Sequence, residues 1–339
     1  MSLSFLDIQD AQSRIAEHVT KTPILTNQLL NQKLGAEIYF KCENFQTTGS
    51  FKALGAFNKI LKYQEDYKKF PEKVVAVSSG NHAQAIAFVA KKFGIKALIY
   101  MDKMASQYKI NATKSYGAEV IILETKKETE VCAEEKVKEG YLYVHSSNDP
   151  DIVCGQGTSC LSALEEIGNV DVIFTACGGG GLISGAYIAS QILEIKPKVF
   201  AAEPFLGNDT AISFRTGKIY SFDQTPKSIA DGARTLRVSA FNFPYIQKLD
   251  GIYEITEEEI IKWTQIISSY LKVFIEPTSA LGIAACYNFL QQEKPIKKLK
   301  ILVILSGGNV SQETAALVWA KDYLADFNAA INTSNQIPC

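Results

Sequence analysis

The sequence predicts an α/β protein with a parallel sheet and helices packed on its faces. Three observations predict it. Apolar runs such as Val74-Val75-Ala76-Val77 and Ile301-Leu302-Val303-Ile304-Leu305 have the length of buried strands. Helical patterns of about 10 to 15 residues separate such runs. Glycines stand where those helices should stop, at Gly94, Gly117 and Gly140. Strands joined by helical crossovers pair in parallel and need helices on both faces.

In order, the pattern reads as a helix over 53–61, a strand over 74–78, a helix over 83–92 and a strand over 96–101. A helix over 107–116, a strand over 119–123, a helix over 128–138 and a strand over 141–145 follow. The alternation continues with a helix at 158–167, a strand at 171–176, a helix at 182–193 and a strand at 198–202. Residues 208–244 are polar and read as irregular. Helices over 256–270 and 279–289 flank a turn at Pro277, and 301–305 is a central strand. The polar tail after about residue 330 reads as frayed.

Composition bounds the function. The chain has 339 residues, enough for two domains, and its 47% hydrophobic and 21% charged residues are ordinary for a soluble protein. A net charge of -1 gives no basic surplus for nucleic acid. The N-terminus lacks a signal-peptide pattern, and no apolar run nears the ~18 residues of a membrane span. Seven scattered cysteines without a CxxC pair fit reduced thiols in the cytoplasm. Three isolated histidines, His18, His82 and His145, do not suggest a histidine metal cluster.

Chemistry is expected at strand ends, where open α/β sheets bind ligands. Gly178-Gly179-Gly180-Gly181 lies after a strand and before a helix, so its bare N–H groups could cradle a phosphate. The competing reading is a flexible turn, which four glycines in a row disfavour. The spacing is neither GxGxxG nor a P-loop. Ser78-Ser79-Gly80-Asn81-His82 offers hydroxyls and N–H groups for a carboxylate, or simple helix capping by Ser79 or Asn81. Ser306-Gly307-Gly308-Asn309 reads most simply as a strand-to-loop turn. Lys52, in Thr48-Gly49-Ser50-Phe51-Lys52, would by itself be a surface charge.

Together these segments resemble the fold-type II pyridoxal-phosphate enzymes. More narrowly they resemble serine racemase and the short serine/threonine dehydratases. Thr22-Pro23, Lys41-Cys42-Glu43-Asn44-Phe45-Gln46, Gly155-Gln156-Gly157-Thr158, Ala202-Glu203-Pro204, Ile229-Ala230-Asp231-Gly232 and Ile275-Glu276-Pro277-Thr278 match as well. The resemblance implies a tryptophan-synthase-β-like α/β fold, with two open twisted sheets flanked by helices. It implies a large cofactor domain from 1–69 and 149–330 and a small domain from 70–148. Lys52 would carry the cofactor as a Schiff base, and Phe51 would pack on its ring. Gly178, Gly179, Gly180, Gly181 and Leu182 would bind its phosphate, and Asn81 the ring 3-oxygen. Ser306 would face the pyridine nitrogen, and Gly232 would also contact the cofactor. Ser78, Ser79, Gly80, Asn81 and His82 would hold the substrate carboxylate, with Ser79 the second acid/base. Glu203, Asp209 and the Gly207 carbonyl match a site for magnesium, calcium or manganese. A homodimer and ATP as allosteric effector are further family expectations.

The activity so implied is dehydration of serine or threonine to the 2-oxo acid and ammonia, serine racemisation, or both. Two departures bear on the substrate. Leu54 stands where many members have Arg or Lys, and His145-Ser146-Ser147-Asn148 resembles aspartate racemases of the family. Hydroxyaspartate or aspartate is therefore the alternative substrate. Cysteine-synthase-type β-replacement and a non-catalytic ligand sensor are the other readings. Isoleucine feedback is not expected, because the chain ends before a regulatory domain.

Overall fold

A computed structural model describes residues 2–325 and 327. Among these residues the strands are β1 (Ile24–Leu25), β2 (Glu37–Cys42), β3 (Lys73–Val77), β4 (Lys96–Asp102) and β5 (Glu119–Leu123). They continue with β6 (Leu142–Tyr143), β7 (Val172–Ala176), β8 (Lys198–Pro204), β9 (Gly251–Ile255) and β10 (Lys300–Leu305). One sheet has the order β1-β2-β10-β7-β8-β9, the other β5-β4-β3-β6. Only β1 pairs antiparallel.

The central strands β7 and β10 are apolar almost throughout because both faces are covered. On one face Phe174, Phe200 and Phe289 pack together, the first two stacked at 5.3 Å. On the other, Ile173, Leu302 and Ile304 meet Leu161 and Ile183 of two helices, Pro150–Ile167 and Gly181–Ser190. Those helices nearly touch by their backbones. A Cβ on Gly185 would lie 2.7 Å from the Gly157 Cα, so no larger residue fits without displacing a helix.

Several elements differ from expectation. The helix expected over 158–167 begins at Pro150, capped by Asp149, whose side chain accepts N–H groups of Asp151 and Ile152. Gly155 and Gly157 mask it in the sequence, yet both serve close packing: a Gly155 Cβ would lie 2.5 Å from the Leu54 carbonyl oxygen. The helix at 53–61 runs from Lys52 to Tyr67. The strand at 141–145 shrinks to Leu142–Tyr143. Pro277 is no turn; it opens the Pro277–Glu293 helix, where its missing N–H costs nothing. Within the stretch read as irregular, Asp209–Thr216 is helical. The tail beyond 330 and Cys339 lie outside the described residues; the six described thiols are free. No described helix is long and apolar enough to cross a membrane.

Candidate active site

Three strand-to-loop turns meet at the carboxyl ends of β3, β7 and β10, around a cavity of about 360 Å³. Its wall includes Phe51, Lys52, the Ser78-to-His82 turn, Gly179, Gly232 and Ser306. The structure thus brings together residues far apart in the chain.

Lys52 is the first residue of its helix. The Phe51 N–H donates to the Ser306 carbonyl at 3.0 Å and the Gly308 N–H to the Gly49 carbonyl at 2.9 Å, which ties this segment to the end of β10. The Lys52 Nζ donates to the Ser146 carbonyl at 3.0 Å and lies 4.8 Å from the Phe51 ring centre. Burial lowers its pKa to about 8, and Glu276 only partly opposes that.

In the tetraglycine turn, Gly180 has φ +89°, and it leaves the following helix without a side-chain cap. The turn is walled closely. A Cβ on Gly179 would stand 2.2 Å from the Ser147 Oγ, and one on Gly181 2.3 Å from the Gln156 Oε1. The Asn242 Nδ2 donates to the carbonyls of Ser147 at 2.9 Å and Gly179 at 2.8 Å. Gly179 lines the cavity, and the helix that starts just after it has no side-chain cap on its positive end.

The Ser78-to-His82 turn differs. The Ser78 Oγ accepts the Gly80 N–H at 3.2 Å. The Ser79 hydroxyl bonds to no described residue. The Asn81 amide is engaged at both ends: its Nδ2 donates to the Glu276 carboxylate at 2.8 and 3.0 Å, and its Oδ1 accepts from Asn309 at 2.9 Å. Contact with a ring oxygen would need one of those N–H groups to turn away. Burial pushes Glu276 up to about 7, against the pull of Lys109, itself paired with Asp231. The His82 Nε2 lies 2.8 Å from the Val144 carbonyl. A carbonyl only accepts, so the proton sits there, and burial with nearby Lys52 lowers the ring pKa to about 3. The Ser306 Oγ is 3.1 Å from the Ser279 Oγ, and Ser279 spends its one proton on the Gly307 carbonyl at 2.7 Å.

Glu203 and Asp209 are fully buried near Gly207, which ends a short 3₁₀ turn. The Glu203 carboxylate accepts the N–H groups of Thr210 at 3.3 Å and Ala211 at 2.9 Å; Asp209 accepts the Thr235 hydroxyl at 3.3 Å. Neither forms a salt bridge among the described residues. Burial raises both, Asp209 to about 7, and Asp209 adds to the rise at Glu203. Among the described residues no group of three or more His, Cys, Asp or Glu side chains is placed to hold a metal ion.

The sequence reading gave no role to Glu276, Asn309, Gln156, Ser147 or Asn242. Four of them stand in segments that carried the family resemblance, Glu276 also before Pro277 in the pattern of a helix start; Asn242 had no signal.

Comparison with known proteins gives the family. Residues 15–307 match the family model described as pyridoxal-phosphate dependent enzyme. L-threo-3-hydroxyaspartate ammonia-lyase of Saccharomyces cerevisiae is 41% identical over 320 residues, 93% of this chain and 96% of the relative. Serine racemase of Schizosaccharomyces pombe is 39% identical over 91% of this chain and 95% of its own. The crystal structure of serine racemase from Dictyostelium discoideum superposes with a TM-score of 0.83 at 37% identity, covering 91% and 99% of the two chains.

Proposed function

This chain belongs to the family of pyridoxal-phosphate dependent enzymes, and on that premise we propose that it removes ammonia from hydroxy-amino acids by α,β-elimination, with racemisation of serine as companion activity. One observation carries the reading: a deep-set lysine with its pKa lowered to about 8 shares a cavity with an open helix N-terminus and a serine-bearing turn.

The residues present fit the cofactor. Around the cavity, the Ser50 Oγ, His82 Nδ1, Gln156 Oε1 and Asn242 Oδ1 are buried without partners among the described residues, as expected of a polar cradle built for a guest. Lys52 would hold the cofactor through its Nζ, with Phe51 on the ring. The N–H groups of Gly178 to Gly181 and Leu182 would take the phosphate. Gly232 and Asn81 would line the ring, and Ser306 would meet the pyridine nitrogen. When bound, pyridoxal phosphate supplies an electron sink for the pair left at Cα.

The chain's own groups do the rest. The Ser78-to-His82 turn binds the substrate carboxylate through hydroxyls and helix-start N–H groups. Lys52, part-neutral near pH 7, takes the Cα proton on one face. The β-hydroxyl leaves as water, and the freed enamine takes a water back as it hydrolyses to 2-oxo acid and ammonia. Serine thus gives pyruvate and ammonia with no other reactant consumed. Ser79, unbonded in the cavity wall, serves the opposite face, which only racemisation requires. Ser306, a neutral hydroxyl, leaves the pyridine nitrogen unprotonated and the sink weak, which suits rapid elimination or reprotonation.

The finer parts belong to the same reading. A magnesium, calcium or manganese ion at Glu203, Asp209 and the Gly207 carbonyl would neutralise two buried carboxylates that have only neutral donors. Residues 70–148 form the small domain and 1–69 with 149–330 the large one. From the family resemblance we also infer a cytoplasmic homodimer with ATP as effector; exposed Phe45 and Phe274, joined through the Asn44 bond to the Phe274 carbonyl, suit a subunit contact.

The test is a 2-oxo acid and chirality assay on L-serine, D-serine and L-threonine. Ser79→Ala should abolish serine racemisation and D-serine dehydration while L-serine dehydration persists. A folded, cofactor-loaded variant that still interconverts the enantiomers at the wild-type rate removes Ser79 from the mechanism.

A further inference from the structure

Asn81, Asn309 and Glu276 form a closed polar set at the edge of the cavity. The Asn309 Nδ2 donates to the Thr48 carbonyl at 2.8 Å and to the Asn81 Oδ1 at 2.9 Å. The Asn81 Nδ2 donates to the Glu276 carboxylate at 2.8 and 3.0 Å, and the Asn309 backbone N–H bonds to Glu276 as well. A backbone carbonyl and a carboxylate only accept, so the chain of bonds has an acceptor fixed at each end. That sets both amides: Asn309 shows its nitrogen to Thr48, and Asn81 shows its nitrogen to Glu276.

The reaction above gives Glu276 no task. Yet it is buried and lines the active-site cavity. Charged groups face it from several elements. Lys109, on the Gln107–Ser115 helix, pulls its pKa down but is itself paired with Asp231. Asp231, on the short turn Asp231–Ala233, pushes it up. Lys52 stands on a further side and feels the Glu276 charge. Arg234 acts at one remove, by opposing Lys109. With burial, the balance leaves Glu276 at about 7, where one more nearby charge decides its state.

An amide nitrogen carries two hydrogens, and only one of those on Asn81 need stay on Glu276. The other is what the ring 3-oxygen of pyridoxal phosphate would take. A negatively charged oxygen must meet N–H there, because the amide carbonyl would repel it. The same oxygen puts a second anion one amide away from the Glu276 carboxylate, in a cavity that screens poorly. We propose that Glu276 is a positioning residue: it turns the Asn81 amide so that N–H faces the ring 3-oxygen, and it takes up a proton when that oxygen arrives. This rests on the contact of Asn81 with the cofactor and names what sets it. The proton comes from water, the carboxylate becomes a carboxylic acid, and no other bond forms or breaks. The acid keeps a carbonyl oxygen for the remaining Asn81 N–H, so the orientation survives the loss of charge. A group whose pKa rises on binding favours the complex below its free value and opposes it as pH climbs through the raised one. Cofactor affinity therefore falls with rising pH on account of Glu276.

Neither test reads turnover. In infrared difference spectra of the wild type, loading the apoenzyme with pyridoxal phosphate at about pH 8 should add the stretch of a protonated carboxyl, which Glu276→Gln should lack. The second test is the cofactor Kd. Lys52 titrates in every protein, so slopes are compared between proteins. Between about pH 6 and about pH 8.5 the wild type should lose about tenfold in affinity relative to Glu276→Gln. The glutamine keeps the size and one acceptor oxygen, so the two should bind almost equally at the lower pH. Asn81→Ala should bind the cofactor more weakly than wild type. A wild type that gains no carboxyl band overturns the proposal, whether or not the variant folds. Parallel pH slopes for wild type and Glu276→Gln overturn it too and leave Glu276 a structural acceptor, while the contact of Asn81 with the ring stands. If Asn81→Ala binds the cofactor as tightly as wild type, that contact fails, and the orienting role falls with it.

Discussion

At Lys52 one amine is buried beside a backbone carbonyl; at Glu203 and Asp209 two carboxylates are buried beside N–H groups and hydroxyls. Each site takes charge out of water without an opposite charge in ion-pair contact among the described residues. They resolve it differently. A lysine can shed its proton, and burial alone brings its pKa to about 8, which turns a surface-type cation into a usable nucleophile and base. Two adjacent carboxylates repel each other whenever both are ionised, and a cation relieves both at once. Uncompensated burial therefore marks a site in both places, but it calls for a covalent partner in one and an ion in the other.

The strongest test of the contrast is removal of the amine. Lys52→Ala should lower turnover by about 10³-fold or more and abolish borohydride trapping of the cofactor on the chain. Trapping on a different lysine would break the assignment of the reactive role to Lys52.

A pH series on cofactor-free protein sharpens the same side. The Lys52 pKa is lowered in the fold from 10.5 to about 8, so the unfolded chain binds more protons between those values. Folded stability therefore rises as pH increases through that window. Against Lys52→Met, the wild type should gain up to about 3 kcal/mol between pH 8 and 10.5 in urea unfolding. Parallel curves for the two proteins would mean that the amine is hydrated.

The carboxylate side is tested by metal removal. A bound ion at about 100 times its Kd adds about 2.7 kcal/mol, so a chelator should lower the wild-type Tm by roughly 5 °C. Glu203→Ala should start low and ignore the chelator. Equal shifts in both proteins would remove the ion from this pair.

Much of the fold was legible along the chain, for local reasons. Buried strands such as Val172–Ala176 show as unbroken apolar runs, and a strand followed by four glycines shows as a turn with bare amides. The errors were local conflicts that packing overrode. Gly155 and Gly157 depress helix propensity, yet the Pro150–Ile167 helix needs them where it meets Leu54 and Gly185. The residues of β6 read as a longer strand, but only Leu142 and Tyr143 pair with β3, and one last bond, from the Val144 N–H to the Val75 carbonyl at 2.9 Å, ends the contact.

By itself the sequence determined the alternation of strands and helices and the glycine turn, which depend on residues close along the chain; Lys52 became a candidate only through a family resemblance carried by motifs scattered along it. The tertiary structure decided that Asn81 is held by Glu276, 195 positions away, and by Asn309, 228 positions away. It decided that Ser147 and Gln156 wall the glycines and that the His145 proton sits on Nε2. It decided too that Lys126 and Arg237 line one cavity with Asp102 and Glu130. Charge, tautomer and burial are set by neighbours in space, and no pattern along the chain encodes which distant side chain a fold will bring there.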